Sequence, residues 1–165
     1  VVEEIGKVMS IISSLRENHK NKPIGDFLIW WRDSDERKTL REFFQKIANA
    51  VLSYYHIRHL PVYMSKKYKI KTLGLTHISD YYAKPKSIVL FPFISDVYID
   101  YSDKSCLVGN MLTIRGFSSL MKTLIHELAH VVEVKKSGNS SHNVFFHKRE
   151  KEIEEFVKKE LKVHF

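Results

Sequence analysis

The chain has few devices for covalent stiffening. One cysteine, Cys106, among 165 residues excludes an intrachain disulfide and any zinc site built on cysteine pairs. A reducing, intracellular (cytoplasmic) setting is therefore expected. Long apolar runs are also missing. The longest, Ile88-Val89-Leu90-Phe91-Pro92-Phe93-Ile94, falls far short of the ~20 residues that a membrane helix needs, so no membrane partner is expected. The opening Val1-Val2-Glu3-Glu4 lacks a basic stretch ahead of an apolar core and does not read as a secretory signal. Repeats, low-complexity tracts and Gly/Pro-rich linkers are absent, so residues 1–165 are expected to form a single, monomeric domain.

Acidic residues are in deficit. Nineteen Asp and Glu face 27 Lys and Arg, leaving a net charge of +8. That balance favours acidic partners, nucleic acid first among them, although it also serves solubility. The densest basic stretch is Lys66, Lys67, Lys69 and Lys71, interleaved with Tyr68 and preceded by Tyr63. Lysine with aromatic residues suits single-stranded nucleic acid. The same pattern also describes an edge strand kept soluble by lysine.

Periodicity gives an α+β chain. Val2, Ile5, Val8, Met9, Ile12 and Leu15 recur at helical steps. Asn18 to Gly25 reads as a loop, and Phe27-Leu28-Ile29-Trp30-Trp31 is too short to assign. Asp33 with Glu36 resembles a capping box ahead of a second helix reaching about Tyr55. The period then changes to two. Strands are expected over Lys67–Thr72, Ser87–Phe91 (stopped by Pro92), Asp96–Tyr101 and Leu107–Ile114, the last broken early by Gly109. Ser118 or Ser119 can cap a helix running to about Lys136, with Gly138 at its end. Ser140 or Ser141 can cap a last helix carrying Phe146, Ile153, Phe156, Val157 and Leu161. The expected architecture is two N-terminal helices, a small sheet of three to four strands, then two more helices.

The chemistry lies in His126-Glu127-Leu128-Ala129-His130. At about 100° per residue, His126 and His130 leave a helix ~40° apart and one turn apart, so both can bind one cation. Glu127 leaves about 100° away from His126, badly placed as a ligand and well placed beside a water. Zn²⁺ accepts imidazole nitrogen, and a neighbouring carboxylate can serve as general base. Chance alone gives this pattern only about 0.035 times in a chain of this composition. A catalytic zinc needs a third ligand and an open fourth position. His142, twelve residues beyond His130 and after a turn, is the favoured third ligand. Phe146 would pack beneath it, and His147 points elsewhere on the helix. Glu150 or Glu154 is the alternative, as in a glutamate-type zinc peptidase. His56, His59 and Cys106 are expected to play no part, and Trp30-Trp31 to act as a packing anchor.

Thr123 to His130, followed by His142-Asn143-Val144-Phe145-Phe146, resembles the SprT-like zinc metalloprotease domain over about residues 107 to 157. Asn143 stands where that family has glycine, and no Cys-x-x-Cys pair follows. The resemblance implies a zincin-like fold, His126, His130 and His142 on zinc, and Glu127 as general base. It also implies protein or peptide substrates, including proteins bound or crosslinked to DNA. Substrate is expected to add as a strand beside residues 109–114. The competing reading is a basic nucleic-acid-binding module with a structural zinc site.

Overall fold

The structure, a computed structural model, describes residues 1–19, 24–67, 73–79, 84–95, 106–108, 112–138 and 141–165. The chain is α+β. Three helices come first: α1 (Val2–His19), α2 (Ile24–Arg32) and α3 (Asp35–Tyr54). Strands β1 (Val62–Met64), β2 (Gly74–Ser79), β3 (Lys84–Leu90), β4 (Phe93–Ser95), β5 (Cys106–Val108) and β6 (Leu112–Ile114) follow. Helices α4 (Phe117–Ser137) and α5 (Val144–Lys159) close the order. Among the described residues no helix is long and apolar enough to cross a membrane.

The expected pair of N-terminal helices is three. Phe27 and Trp31, four apart, are both buried, while Ile29 between them is 71% exposed, which is helical facing. Their rings meet Phe93 edge-on at 4.9 and 5.0 Å, and Trp31 Nε1 donates to the Ser65 carbonyl at 2.8 Å. Trp31 is thus the anchor, and Trp30 is left partly exposed. Helix α1 runs past Asn18, through part of the expected loop. It buries Val8, Ile12, Leu15 and His19, leaving Met9 outside. Helix α3 is capped by Ser34, not Asp33, because the Ser34 hydroxyl accepts the Arg37 N–H at 3.1 Å.

In place of the expected single sheet, the described residues form two sheets of three strands. The first has the order β1-β3-β2, with β1 parallel and β2 antiparallel to β3. The second is antiparallel, in the order β4-β6-β5. The stretch expected as one strand over Leu107–Ile114 is therefore two, β5 and β6, paired with each other. The strands expected over Lys67–Thr72 and Asp96–Tyr101 lie outside the described residues except for Lys67, which is exposed like Lys66.

The outer edge of β1 is sealed by side chains from α3. Gln45 accepts the Val62 N–H at 2.7 Å and donates to the Leu60 carbonyl at 2.8 Å. One turn earlier Arg41 donates to the Val62 carbonyl at 3.1 Å, and one turn before that Arg37 reaches the Met64 carbonyl at 3.4 Å. Three polar residues at helical spacing thus serve a row of strand groups that would otherwise be an open template. Gln45→Ala should lower stability by about 1–3 kcal/mol, since it strands a backbone donor beside fully buried Val62. Urea unfolding measures this, and an unchanged midpoint would show that water replaces the glutamine.

Candidate metal centre

Helix α4 is buried nearly all round, with Leu124, Ile125, Leu128, Ala129, Val131 and Val132 in the core. It packs against β2 and β3 on one side and α5 on another. Gly138 ends it in the left-handed region at φ 74°, where its N–H reaches the Val134 carbonyl at 2.9 Å. The chain reverses and α5 starts on Asn143, whose side chain accepts the Phe146 N–H at 3.0 Å. Ser141 is therefore not that cap, and Ser140 lies outside the described residues. Asn143, the departure from the SprT-like pattern, thus fixes the first turn of α5 immediately after His142.

The reversal brings three rings together. His130 Nε2 lies 3.3 Å from His126 Nε2. His142 Nε2 lies 3.2 Å from the first and 3.0 Å from the second. Phe146, fully buried, lies beneath all three imidazoles with centroid distances of 4.9, 4.5 and 4.9 Å.

Hydrogen bonds among the rings cannot satisfy this cluster. Each Nε2 either carries a proton or offers a lone pair. In a triangle of two-state atoms at least one pair must be alike, either donor against donor or acceptor against acceptor. One cation shared by three lone pairs removes the conflict. Zinc–nitrogen bonds of ~2.0–2.1 Å at tetrahedral angles separate their nitrogens by ~3.3–3.4 Å, close to the spacing observed. These three histidines are the group among the described residues able to hold a metal ion.

Glu127 lies beside them, 5% exposed, with Oε2 buried and without a hydrogen-bond partner. Burial pushes its carboxyl pKa up, and the nearby His126 and Thr76 only partly oppose this. A cleft of about 520 Å³ opens over Glu127 and the three histidines, with Gly74 and Lys122 also on its walls.

The alternative ligands stay outside the triangle. The Glu150 carboxylate faces Nδ1 of His126, the far side of that ring, at 2.7 Å. Glu154 pairs with Lys158 at 3.4 Å. His147 is exposed and faces Glu150 at 3.2 Å. His56 and His59 are exposed and do not join the cluster. Cys106 lies in β5.

Two residues that sequence reasoning missed set the geometry. A Cβ on Gly74 would lie 2.6 Å from Thr123 Cγ2 and 3.2 Å from Glu127 Cγ, so only glycine lets β2 pass this close to α4. Arg115, fully buried, donates to the Leu73 and Phe91 carbonyls at 3.0 Å each, and to the Ser119 carbonyl at 2.9 Å. It also donates to the Ser119 and Thr123 hydroxyls. One guanidinium thus ties the approach to β2, the end of β3 and the first turns of α4. The available signals were a glycine between two leucines and a lone charge between Ile114 and Phe117.

Two outcomes follow. Gly74→Ala should destabilise the fold by about 1–3 kcal/mol, because Thr123 is buried and bonded to Arg115 and cannot yield freely. Thermal unfolding at wild-type level would contradict that. In the metal-free chain, Glu127→Gln should raise the melting temperature at neutral pH. A carboxyl whose folded pKa is raised makes the fold lose stability as pH climbs from the unfolded value of ~4.3 through the folded one. The gain from glutamine should therefore vanish below about pH 4, where both states are protonated. Comparison of the chain with family models, characterised proteins and solved structures finds no match.

Proposed function

We propose that the chain is a zinc-dependent metalloendopeptidase of zincin-like architecture, similar to SprT-like proteases, that hydrolyses peptide bonds of protein substrates. The observation that carries the reading is the convergence of three imidazole Nε2 atoms beside a buried carboxylate oxygen with no partner, at the wall of an open cleft. Structural zinc sites are closed by four protein ligands, whereas catalytic sites keep three and an open position. Three ligands and a cleft fit the catalytic type.

His126, His130 and His142 would hold the ion, which when bound supplies Lewis acidity. Glu127 then does the proton work. Its carboxylate, raised in basicity by burial, takes a proton from water in the cleft and delivers it to the departing amine. Hydrogen bonds already in place hold it there: Thr76 donates to the Glu127 carbonyl at 3.4 Å, and Arg115 fixes Thr123 one turn earlier.

The strand that receives an extended peptide differs from the sequence expectation. β6 has β4 on one side and β5 on the other, so residues 112–114 have no free edge. The edge of β1 is sealed by α3. β2 pairs only with β3 among the described strands, and its first residue, Gly74, lines the cleft. Addition of substrate to β2 fits the site.

The charge of +8, exposed Lys66 and Lys67, and the Arg41 guanidinium 5.3 Å from the centre of the exposed Tyr63 ring favour substrates held on an acidic polymer such as DNA. Lys69 and Lys71 lie outside the described residues.

Elemental analysis and a protein-cleavage assay test the reading together. Wild type should carry one zinc per chain and cleave. Glu127→Gln should keep the zinc and lose at least about 100-fold in rate. His142→Ala should lose the zinc. Zinc binding with salt-sensitive DNA binding, but no cleavage of any protein with or without DNA, would replace the peptidase by the nucleic-acid-binding module.

A further inference from the structure

Three rings can share one cation only if each turns an unprotonated nitrogen toward it, and here the facing nitrogen is Nε2 in all three. A neutral imidazole carries its proton on either nitrogen, and a ring protonated at Nε2 has no lone pair to give there. Something must therefore select the tautomer. For His126 the selecting group is visible. Glu150 Oε2 lies 2.7 Å from Nδ1 of His126, the nitrogen pointing away from the other two histidines. An ionised carboxylate only accepts hydrogen bonds, so the nitrogen that faces it must donate. The proton is held on Nδ1, and Nε2 keeps its lone pair.

Glu150 is itself held. Its other oxygen, Oε1, lies 3.2 Å from Nδ1 of His147, three residues earlier on α5. The carboxylate spans two helices, gripped on α5 by one histidine while it orients the other on α4. The His126 side chain is 36% exposed against 62% for His147, so of the two contacts Glu150 makes, the one to His126 is the more sheltered. The spacing from His142 into α5 is regular. His142, Phe146 and Glu150 recur every four residues and supply in turn a nitrogen of the triangle, the ring beneath it and the carboxylate behind it.

We propose that Glu150 is a positioning residue of this centre, fixing the tautomer and ring angle of His126 from behind, with His147 steadying Glu150. The inference rests on the metal-site reading above and adds to it a role for two residues that do not touch the ion. It assigns to Glu150 the opposite of the ligand role that its position in the sequence allows.

Two measurements on the full chain test it. The first needs no metal. In the metal-free protein, at a pH where the rings are neutral, long-range nitrogen–proton NMR correlations should show His126 protonated at Nδ1. In Glu150→Ala the same ring should show a substantial Nε2–H form. The second is zinc competition against a chelator. Glu150→Ala should bind about 10–100-fold more weakly, the range usual for loss of a carboxylate behind a ligating histidine. Glu150→Gln, whose amide oxygen still accepts, should recover part of that loss, and His147→Ala should lose less than Glu150→Ala.

Wild-type His126 protonated at Nε2 would overturn the proposal. So would undiminished zinc affinity in a folded Glu150→Ala, or X-ray absorption showing a carboxylate oxygen on zinc that the variant removes. A wild-type chain that binds no zinc would sink the metal reading alone, because the tautomer measurement still decides the role of Glu150.

Discussion

Three nitrogens at mutual distances of 3.0 to 3.3 Å form an arrangement that costs free energy in the absence of a cation, and the fold supplies what holds it. Two of the nitrogens come from one helix turn and need no further organisation. The third must be delivered by a separate helix, and most of the local structure serves that delivery. Gly138 adopts the left-handed conformation that lets α4 stop, and Asn143 starts α5 in register. Phe146 buries its whole ring under the imidazoles. Full burial of such a side chain contributes about 1.5–3 kcal/mol toward holding the two helices together at this point. Further along, Arg149 donates to Glu133 on α4 at 2.9 Å and to Glu152 at 3.0 Å, and the Tyr55 hydroxyl beyond α3 donates to Glu152. Burial, and then that carboxylate, push the Tyr55 hydroxyl pKa up, so it stays a donor throughout the ordinary pH range. The network pins α5 to both neighbouring helices within one to three turns of the site.

The carboxylate of the site is governed by a different contact, the crossing of β2 over α4. A buried acid with one oxygen unpartnered is expensive, and Glu127 is tolerated because it is one group set in a helix otherwise anchored by apolar packing. Gly74 brings the strand backbone close enough to limit where this side chain can go. Arg115 fixes the distance from the other side by binding carbonyls of both strand ends and the first turns of α4. The cost of burial becomes basicity once water enters the cleft, since the same desolvation that raises the pKa strengthens the base.

Residues that act within one element, and His142 just beyond the turn that ends α4, could be read from the sequence, whereas residues that join more distant elements could not. The pairing of His126 with His130 follows from helical periodicity alone, and Phe146 follows from its distance to His142. Gly138 as a helix end is equally local. The contact of Glu150 with His126 joins residues 24 positions apart on two helices, so spacing alone offered Glu150 only as an alternative ligand. Gly74 and Arg115 are non-local for the same reason. Among the elements, Phe27 to Trp31 gave no period because all five residues are apolar. Only the burial of Phe27 and Trp31 against Phe93, with Ile29 outward, shows a helix. Met9 fell on the apolar stripe of α1 and is half exposed, because a stripe can be wider than the surface it packs on.

The edges of the sheets limit where an extended chain can bind. Backbone groups of a strand are equivalent in chemistry, so selection among edges must come from what already occupies them. On β1 the occupants are Gln45, Arg41 and Arg37, and an incoming peptide would have to displace at least three hydrogen bonds to charged or amide side chains. On β6 they are two other strands. β2 carries no such seal among the described residues, and its first residue has no side chain where it meets the helix that carries Glu127. Closing one edge with helical side chains therefore directs an extended chain as much as opening another with glycine. Both rest on α3 packing against β1 and on α4 packing against β2 and β3, a constraint set by the apolar core.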